Sequence, residues 1–197
     1  MSAFIDFLKG IDTDILLFIN GKNSPFIDQV MYFISGRFTW IPLYLFLAVL
    51  IIKDYGKGSI LIIIFAVVAI VLSDQGANLI KDHFMRLRPS HTPGVMEHLH
   101  YYKDAAGEAY MGGLYGFISN HAANAASLAI YIILLFRRNF ITWIMIAYVV
   151  LLCYSRVYLG VHYPTDVFGG VLFGIVTGSA AHKACMILQR ATSMRDN

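Results

Sequence analysis

The sequence predicts an all-α integral membrane protein, a bundle of five spanning helices preceded by an amphipathic helix. Two observations predict this fold. Hydrophobic residues make up 58% of the 197 residues and charged residues only 14%, whereas soluble domains are about 45–50% apolar and about 25% charged. The apolar excess is also concentrated in runs of about 20 residues, the length that crosses a bilayer as a helix. We expect a single membrane-embedded domain over residues 1–197.

The first 35 residues are expected to form an interfacial N-terminal region. Apolar residues recur there with helical spacing and with charges between them: Phe7, Leu8, Ile11, Ile15 and Leu16. This pattern is typical of an amphipathic helix that lies along the membrane surface. A sixth span in this region is the alternative. The interrupting charges argue against a cleavable signal peptide.

Five segments are candidate spans because each is a mostly apolar run: Phe38–Ile52, Ser59–Leu79, Ser119–Phe136, Phe140–Tyr154 and Asp166–Leu188. The first is short, and it can be extended backwards through Met31–Ser35. The fifth contains glycines at every fourth position: Gly170, Gly174 and Gly178. Small residues at this spacing let helices approach closely, so we expect this face to pack inside the bundle.

The basic residues of the short connections predict the orientation. With alternating spans, one side of the membrane receives Lys53, Lys57, Arg137, Arg138 and Lys183. Short basic loops remain in the cytoplasm. The other ends of the spans are therefore predicted to face the periplasm or the cell exterior.

Three clusters of polar residues lie at those outward ends. They are Lys81 with Arg88-Pro89, then Ser119-Asn120-His121, and finally Ser155-Arg156 with His162 and Asp166. Ionisable groups next to apolar spans are costly, and they usually mark a functional site. Fixed cations can bind an oxyanion, and an imidazole held by a carboxylate can attack or transfer a proton. The pattern therefore indicates phosphate chemistry at a membrane surface.

In order and spacing, the clusters resemble the signature of the type 2 phosphatidic acid phosphatase superfamily, in its bacterial integral-membrane branch. That signature reads Lys-x6-Arg-Pro, Pro-Ser-Gly-His and Ser-Arg-x5-His-x3-Asp. The resemblance covers the chain from Lys81 to Asp166. The second cluster departs from it, because this chain has Ile-Ser-Asn-His. Asparagine tolerates a left-handed backbone better than most residues, so Asn120 is an acceptable replacement for glycine if the backbone requires that conformation here.

The resemblance implies a role for each matching residue. His162 would attack phosphorus to give a phosphohistidine, Asp166 would orient its ring, and His121 would act as the general acid and base. The phosphate would be bound by Lys81, Arg88, Ser119, Asn120 and Arg156. No metal or other cofactor is expected, because these cations can neutralise the phosphate.

The implied function is that of a membrane lipid phosphatase acting on a phosphate monoester or pyrophosphate. Undecaprenyl pyrophosphate is the leading candidate, because the site is predicted to face outward from a bacterial inner membrane. Phosphatidylglycerophosphate, phosphatidic acid and lipid A phosphates remain open. The net charge of +3 gives no reason to expect a nucleic-acid partner.

Two other classes of protein are weighed against this one. A vanadium haloperoxidase would use a similar pocket, with His162 binding vanadate, but those enzymes are soluble. A small transporter or channel would need polar groups deep in several spans, whereas here only Asp74 lies deep. Halide oxidation assays and liposome flux measurements distinguish these alternatives.

The connection 90–116 is long for a compact bundle, and it is predicted to form an extracytoplasmic loop or lid. Its three histidines, His91, His98 and His100, are interpreted as exposed loop residues, since the loop lacks the ligand spacing of a known metal site. Asp74 shares a helix face with Asn78 and Lys81. It could orient a site residue or pair within the bundle for structural reasons.

Overall fold

Helices are the only regular secondary structure among the residues that the computed structural model describes, 2–104 and 106–193, and no β-strand occurs among them. Met1, Ala105 and residues 194–197 of the expected domain lie outside the described residues. The helices are α1 Ser2–Asn20, α2 Pro25–Ser35, α3 Ile41–Tyr55, α4 Ser59–Phe84, α5 Asn120–Phe136, α6 Asn139–Tyr158 and α7 Pro164–Ser193. The all-α prediction is confirmed for this part of the chain.

Three helical stretches in the described chain are long and apolar enough to cross a membrane. They are Ile41–Phe84, which contains α3 and α4, then Asn139–Tyr158 and Pro164–Ala191. The apolar helix α5 is shorter. Helices α3 to α7 thus overlap the five candidate spans, whereas α1 is not one of these three stretches.

The backward extension of the first span through Met31–Ser35 is wrong, because those residues belong to the separate helix α2. Ser24 caps its start by accepting a hydrogen bond from the Ile27 amide at 3.3 Å, and Pro25 is its first residue. Proline suits this position since its missing amide hydrogen has no partner there. Gly36 has an extended backbone and ends the helix, so α3 begins afresh at Ile41.

Helix α5 lies at the centre of the bundle and packs against α4, α6 and α7. The glycine face of α7 allows the closest of these approaches. A Cβ atom at Gly174 would lie 2.2 Å from the Ala123 carbonyl oxygen, and one at Gly178 would lie 2.2 Å from that of Ser127. The prediction that this face packs inside the bundle is confirmed. The close approach brings the first turns of α5 and α7 together at one end.

The basic connections meet at the other end of the bundle. Arg138, between α5 and α6, forms an ion pair of 2.7 Å with Asp54 at the end of α3. The Gln189 amide, late in α7, donates to the Gly58 carbonyl at 3.3 Å. These contacts place the three basic segments on one side, as predicted, and leave the polar clusters on the opposite side.

The N-terminal helix α1 turns a partly polar face toward the protein. Asp12, Leu16 and Asn20 are spaced four residues apart and are buried, whereas Phe7 and Phe18 are exposed. Asp12 is only 3% exposed. The apolar stripe expected of this helix is present, but its acidic residues do not all face solvent.

Candidate functional site

Four helix ends and the segments joining them bring the predicted site residues together. Lys81 lies in the last turn of α4, and Arg156 lies in the last turn of α6. Ser119 is the residue just before α5, and Asp166 lies in the first turn of α7. The Ser119 amide donates to the Asp166 carbonyl at 3.0 Å, which joins the starts of α5 and α7 directly.

His162 and Asp166 form the buried centre of this site. The His162 Nδ1 atom lies 3.5 Å from Asp166 Oδ2, and both side chains are almost fully excluded from solvent. Neither ring nitrogen of His162 has a hydrogen-bond partner among the described residues. The distance is longer than an ordinary hydrogen bond, as is common for catalytic pairs before substrate binds. The Gly116 backbone lies near the ring, but no described residue forms an ordinary hydrogen bond with Nε2.

Two buried arginines lie beside His162. The Arg88 Nε atom donates to the Tyr115 carbonyl at 3.0 Å and its Nη1 to that of Val161 at 3.4 Å. Arg156 donates through Nη1 to the Ser35 hydroxyl and, at 2.9 Å, to the Tyr110 hydroxyl. Within the described residues the Arg156 Nε atom has no partner. No carboxylate neutralises either guanidinium directly in this part of the chain.

Burial and the neighbouring cations determine the protonation states of His162 and Arg88. Burial, followed by the positive charges of Arg88 and Arg156, holds the pKa of His162 well below its ordinary value of 6.5. Burial and the charge of Arg156 also lower the pKa of Arg88 to about 10. At neutral pH the His162 imidazole is therefore uncharged while Arg88 remains a cation. An uncharged imidazole facing fixed cations suits attack on an anionic group.

Asn120 does not have a left-handed backbone. Among the described residues other than glycine, only Met85 and Arg137 have positive φ, and Asn120 is the first residue of α5. Its side chain has a different use. The Lys81 Nζ atom donates to Asn120 Oδ1, while Asn120 Nδ2 donates to Asp74 Oδ1 at 2.9 Å and to Asn78 Oδ1 at 2.8 Å. The asparagine thus holds the lysine in place, and its amide faces α4.

Asp74 anchors this polar group from within α4. Besides the bond from Asn120, its Oδ1 atom accepts one from Asn124 at 3.0 Å. Both amides come from α5, so the carboxylate ties α5 to α4 one turn below the site. These contacts favour the interpretation in which Asp74 orients a site residue, acting on Lys81 through Asn120.

The start of α5 presents two further groups to the site. The Ser119 hydroxyl is fully buried and has no partner among the described residues, although serine at this position usually caps its helix. His121 lies in the first turn of α5 and is partly exposed. Since a helix N-terminus carries unpaired amides and partial positive charge, this end of α5 favours an anion.

Residues 90–116 pack against α1 and α2 and are closed at their base. The Arg88 amide donates to the Leu114 carbonyl at 3.0 Å, and the Gly116 amide donates to that of Arg86 at 2.8 Å. Gly116 is needed at this point, because a Cβ atom there would lie 2.7 Å from Asp166 Oδ2. The loop base therefore forms one wall of the site.

Two of the loop histidines, His91 and His100, are partly exposed and make separate contacts. His91 Nδ1 lies 3.1 Å from the Ser90 hydroxyl, while His100 Nε2 lies 2.8 Å from Asp28 Oδ2 in α2. His98 is exposed. The described residues contain no cluster of three or more His, Cys, Asp or Glu side chains arranged to hold a metal ion.

A cavity of about 790 Å³ opens beside the site. Its walls come from α2, the start of α3 and the loop. The residues that line it are Tyr32, Phe33, Ser35, Gly36, Arg37, Phe38, Thr39, Pro42, Tyr110 and His121. The cavity thus extends from His121 to a largely aromatic rim, and an anionic headgroup carrying apolar chains fits this combination.

Several site contacts could not be expected from the sequence. Ser35 and Tyr110 reach Arg156 from α2 and from the loop. Asp12 and Arg86 join at 2.6 Å, and Arg86 also contacts Asp166 at 2.8 Å. The clustering of tyrosines in the loop was a signal for Tyr110, whereas nothing in the sequence distinguishes Ser35.

Comparisons with known proteins agree with the signature. The sequence profile described as "PAP2 superfamily" matches residues 58–188. The chain is 34% identical over 181 residues to the lipid A 4'-phosphatase of Porphyromonas gingivalis, covering 91% of this chain and 75% of that protein. It is 31% identical over 169 residues to the undecaprenyl-diphosphatase of Sulfolobus acidocaldarius, covering 84% of this chain and 74% of that one.

A solved structure has the same fold. The PAP2-type phosphatidylglycerolphosphate phosphatase of Bacillus subtilis superposes with a TM-score of 0.64 at 21% identity, covering 88% of this chain and 84% of that chain. The profile match spans all three polar clusters, and the relatives align over most of their length. The chain therefore belongs to the PAP2 superfamily, the type 2 phosphatidic acid phosphatases.

Proposed function

We propose that this protein is a lipid phosphatase that hydrolyses a phosphate monoester of lipid A or of a similar outward-facing lipid. The reaction passes through a phosphohistidine intermediate. One observation carries the proposal. The His162 imidazole is buried close to Arg88, Arg156 and Lys81, and its burial, followed by these positive charges, lowers its pKa and keeps it uncharged. Such a site favours a phosphate dianion and leaves the imidazole free to attack it.

In the first step, the His162 Nε2 atom attacks phosphorus and the bond from phosphorus to the lipid oxygen breaks. The Nδ1 hydrogen points to Asp166, which holds the ring and stabilises the positive charge that develops on it. His121 donates a proton to the departing lipid oxygen. In the second step, His121 takes a proton from water, which attacks the phosphohistidine and releases inorganic phosphate.

Three cations and one hydroxyl are placed to stabilise the transferring phosphoryl group. Lys81 is oriented by Asn120, while Arg88 and Arg156 lie close enough to His162 to lower its pKa after burial. The unpartnered Ser119 hydroxyl and the first amides of α5 supply further donors. Asn120 supports the pocket through Lys81 more than through its own amide, because both ends of that amide are already bonded.

The comparisons change the order of candidate substrates. The relative aligned over 91% of this chain is named for the lipid A 4'-phosphate, a monoester. Undecaprenyl diphosphate is the second candidate, since a relative named for it is 31% identical over most of both chains. The aromatic cavity next to His121 suits the apolar part of either lipid.

Purified protein tests the proposed function directly. In detergent with excess EDTA, we expect phosphate release from lipid A, slower release from undecaprenyl diphosphate, and inhibition of both by vanadate. Vanadate mimics five-coordinate phosphorus, and the fixed cations neutralise the substrate without a divalent ion. Loss of turnover in EDTA that Mg²⁺ or Zn²⁺ restores would contradict this mechanism.

The five helices α3 to α7 are proposed to span the inner membrane with the site outside and the basic end in the cytoplasm. Glu97 lies exposed in the loop, and Asn139 lies exposed at the basic end. In a background without Cys153 and Cys185, Glu97→Cys should react in intact spheroplasts with a membrane-impermeant thiol reagent. Asn139→Cys should react only after the membrane is opened. The reverse labelling pattern would place the site in the cytoplasm.

A further inference from the structure

Arg86 lies two residues before the phosphate-facing Arg88 but turns away from the phosphate pocket. Its Nη1 atom donates to Asp166 Oδ1 at 2.8 Å, and its Nη2 atom donates to Asp12 Oδ2 at 2.6 Å. Both carboxylates are buried, and the arginine is itself only 29% exposed. Arg86 therefore links the catalytic end of α7 to the N-terminal helix α1.

The two oxygens of Asp166 have different partners. Oδ1 accepts the bond from Arg86, whereas Oδ2 accepts one from the Tyr163 amide at 3.0 Å and lies 3.5 Å from His162 Nδ1. A buried carboxylate without a countercharge is costly, and removing one partner of such a pair leaves that cost uncompensated. Arg86 thus supplies the charge that Asp166 needs and fixes the rotation that turns Oδ2 toward the imidazole.

Asp12 holds the other side of this arginine. Its Oδ1 atom accepts a bond from the Thr165 amide at 3.0 Å, and its Oδ2 atom accepts one from the Thr165 hydroxyl at 2.5 Å. Thr165 lies in the first turn of α7, where unpaired amides favour a negative charge. A single carboxylate from α1 therefore caps α7 and binds Arg86, although it is 153 residues away from Thr165 in the sequence.

Tyr163 and Thr165 also hold the Arg86 guanidinium in place. It lies 4.2 Å from the centre of the Tyr163 ring, a cation–π contact, and its Nη1 atom donates to the Thr165 hydroxyl at 2.7 Å. Tyr163 follows His162 directly in the chain. Because both terminal nitrogens of Arg86 donate to carboxylates, Arg86 is a poor candidate for a fourth cation that binds the phosphate.

We propose that Arg86 and Asp12 are positioning residues for the reaction, acting through Asp166 on the orientation of His162. This inference rests on the proposed roles of His162 and Asp166. Helix α1 then takes part in catalysis, because its residue Asp12 holds Arg86. Neither residue touches the transferring phosphate, so a change in either should lower kcat more than it alters KM.

The first test compares Asp12→Asn and Arg86→Gln with the matched control Asp14→Asn, an exposed carboxylate on the same helix. We expect kcat for phosphate release from lipid A to fall on the order of 10–100-fold in both variants. Losses of this size follow when a hydrogen-bond partner that orients a metal-binding side chain is removed, and Arg86 and Asp12 orient Asp166 in a comparable way. KM should stay near the wild-type value. Arg86→Lys keeps the charge and should recover part of the lost kcat, while Asp14→Asn should match wild type.

A double-mutant cycle separates positioning from simple structural support. If Arg86 acts through Asp166, then Arg86→Gln should cause little further loss of kcat in an Asp166→Asn background. All variants are compared as monodisperse protein, with the thermal unfolding midpoint measured alongside. Multiplicative losses of kcat, or losses that follow the unfolding midpoint across the series, would overturn the positioning role.

The same measurements distinguish this inference from the proposed function. A wild-type protein that releases no phosphate, or an Asp166→Asn variant with full activity, would overturn the proposed function. A strongly impaired Asp166→Asn variant together with wild-type kcat in Arg86→Gln and Asp12→Asn would overturn only the positioning role.

Discussion

Replacing His162 by alanine is expected to lower kcat on the order of 10⁴-fold or more, as for other essential nucleophiles. The reason is geometric, because His162 is fully buried at the centre of the cations and no other imidazole lies beside Asp166 within the described chain. Phosphate release from lipid A by purified protein measures the effect.

A matched histidine controls for the substitution itself. His98→Ala, in the exposed part of the loop, should retain wild-type turnover. A His162→Ala enzyme that kept about a tenth of the wild-type kcat would show that covalent catalysis by this residue is wrong.

Replacing Arg156 by lysine is expected to lower kcat/KM by about 10²–10³-fold, the usual loss when one donor to a transition-state oxyanion is removed. Lysine keeps the positive charge but not the planar fork. That fork is held by the Ser35 and Tyr110 hydroxyls, while its Nε atom has no partner in the described part of the chain. A lysine ammonium cannot keep both hydroxyl contacts and also bind phosphate in the same geometry.

The comparison variant for this prediction is Arg138→Lys, at the basic end of the bundle, where the arginine pairs with Asp54. Its kcat/KM should equal that of wild type. If Arg156→Lys were equally active, the need for the buried guanidinium of Arg156 in binding phosphate would be contradicted.

Much of the fold could be predicted because membrane spans follow from composition alone. Apolar runs of sufficient length place α4, α5, α6 and α7 within a few residues of their observed bounds. Charged residues at span ends predicted that the candidate site residues lie together at one end of the bundle, whereas their individual roles came only from the resemblance to the family signature. The glycine repeat of α7 likewise predicted a face that the structure buries against α5.

The errors arose where tertiary contacts outweigh local pattern. Asp12 looks like a solvent-facing charge on an amphipathic helix, yet it is buried against Arg86, which is 74 residues away. Asn120 looks like a substitute for a glycine conformation, yet its amide was needed to join Lys81 to Asp74. Periodicity cannot predict such long-range hydrogen bonds.

Trapping the phosphoenzyme tests whether the phosphoryl group passes through His162. Protein mixed with lipid A labelled with ³²P at its phosphates is quenched in alkali within milliseconds, digested, and its labelled peptide sequenced. If His162 is the nucleophile, the labelled peptide carries an alkali-stable, acid-labile phosphoryl group on His162 that is absent from the His162→Ala protein. Label on another residue, or none while turnover proceeds at the full rate, would contradict it.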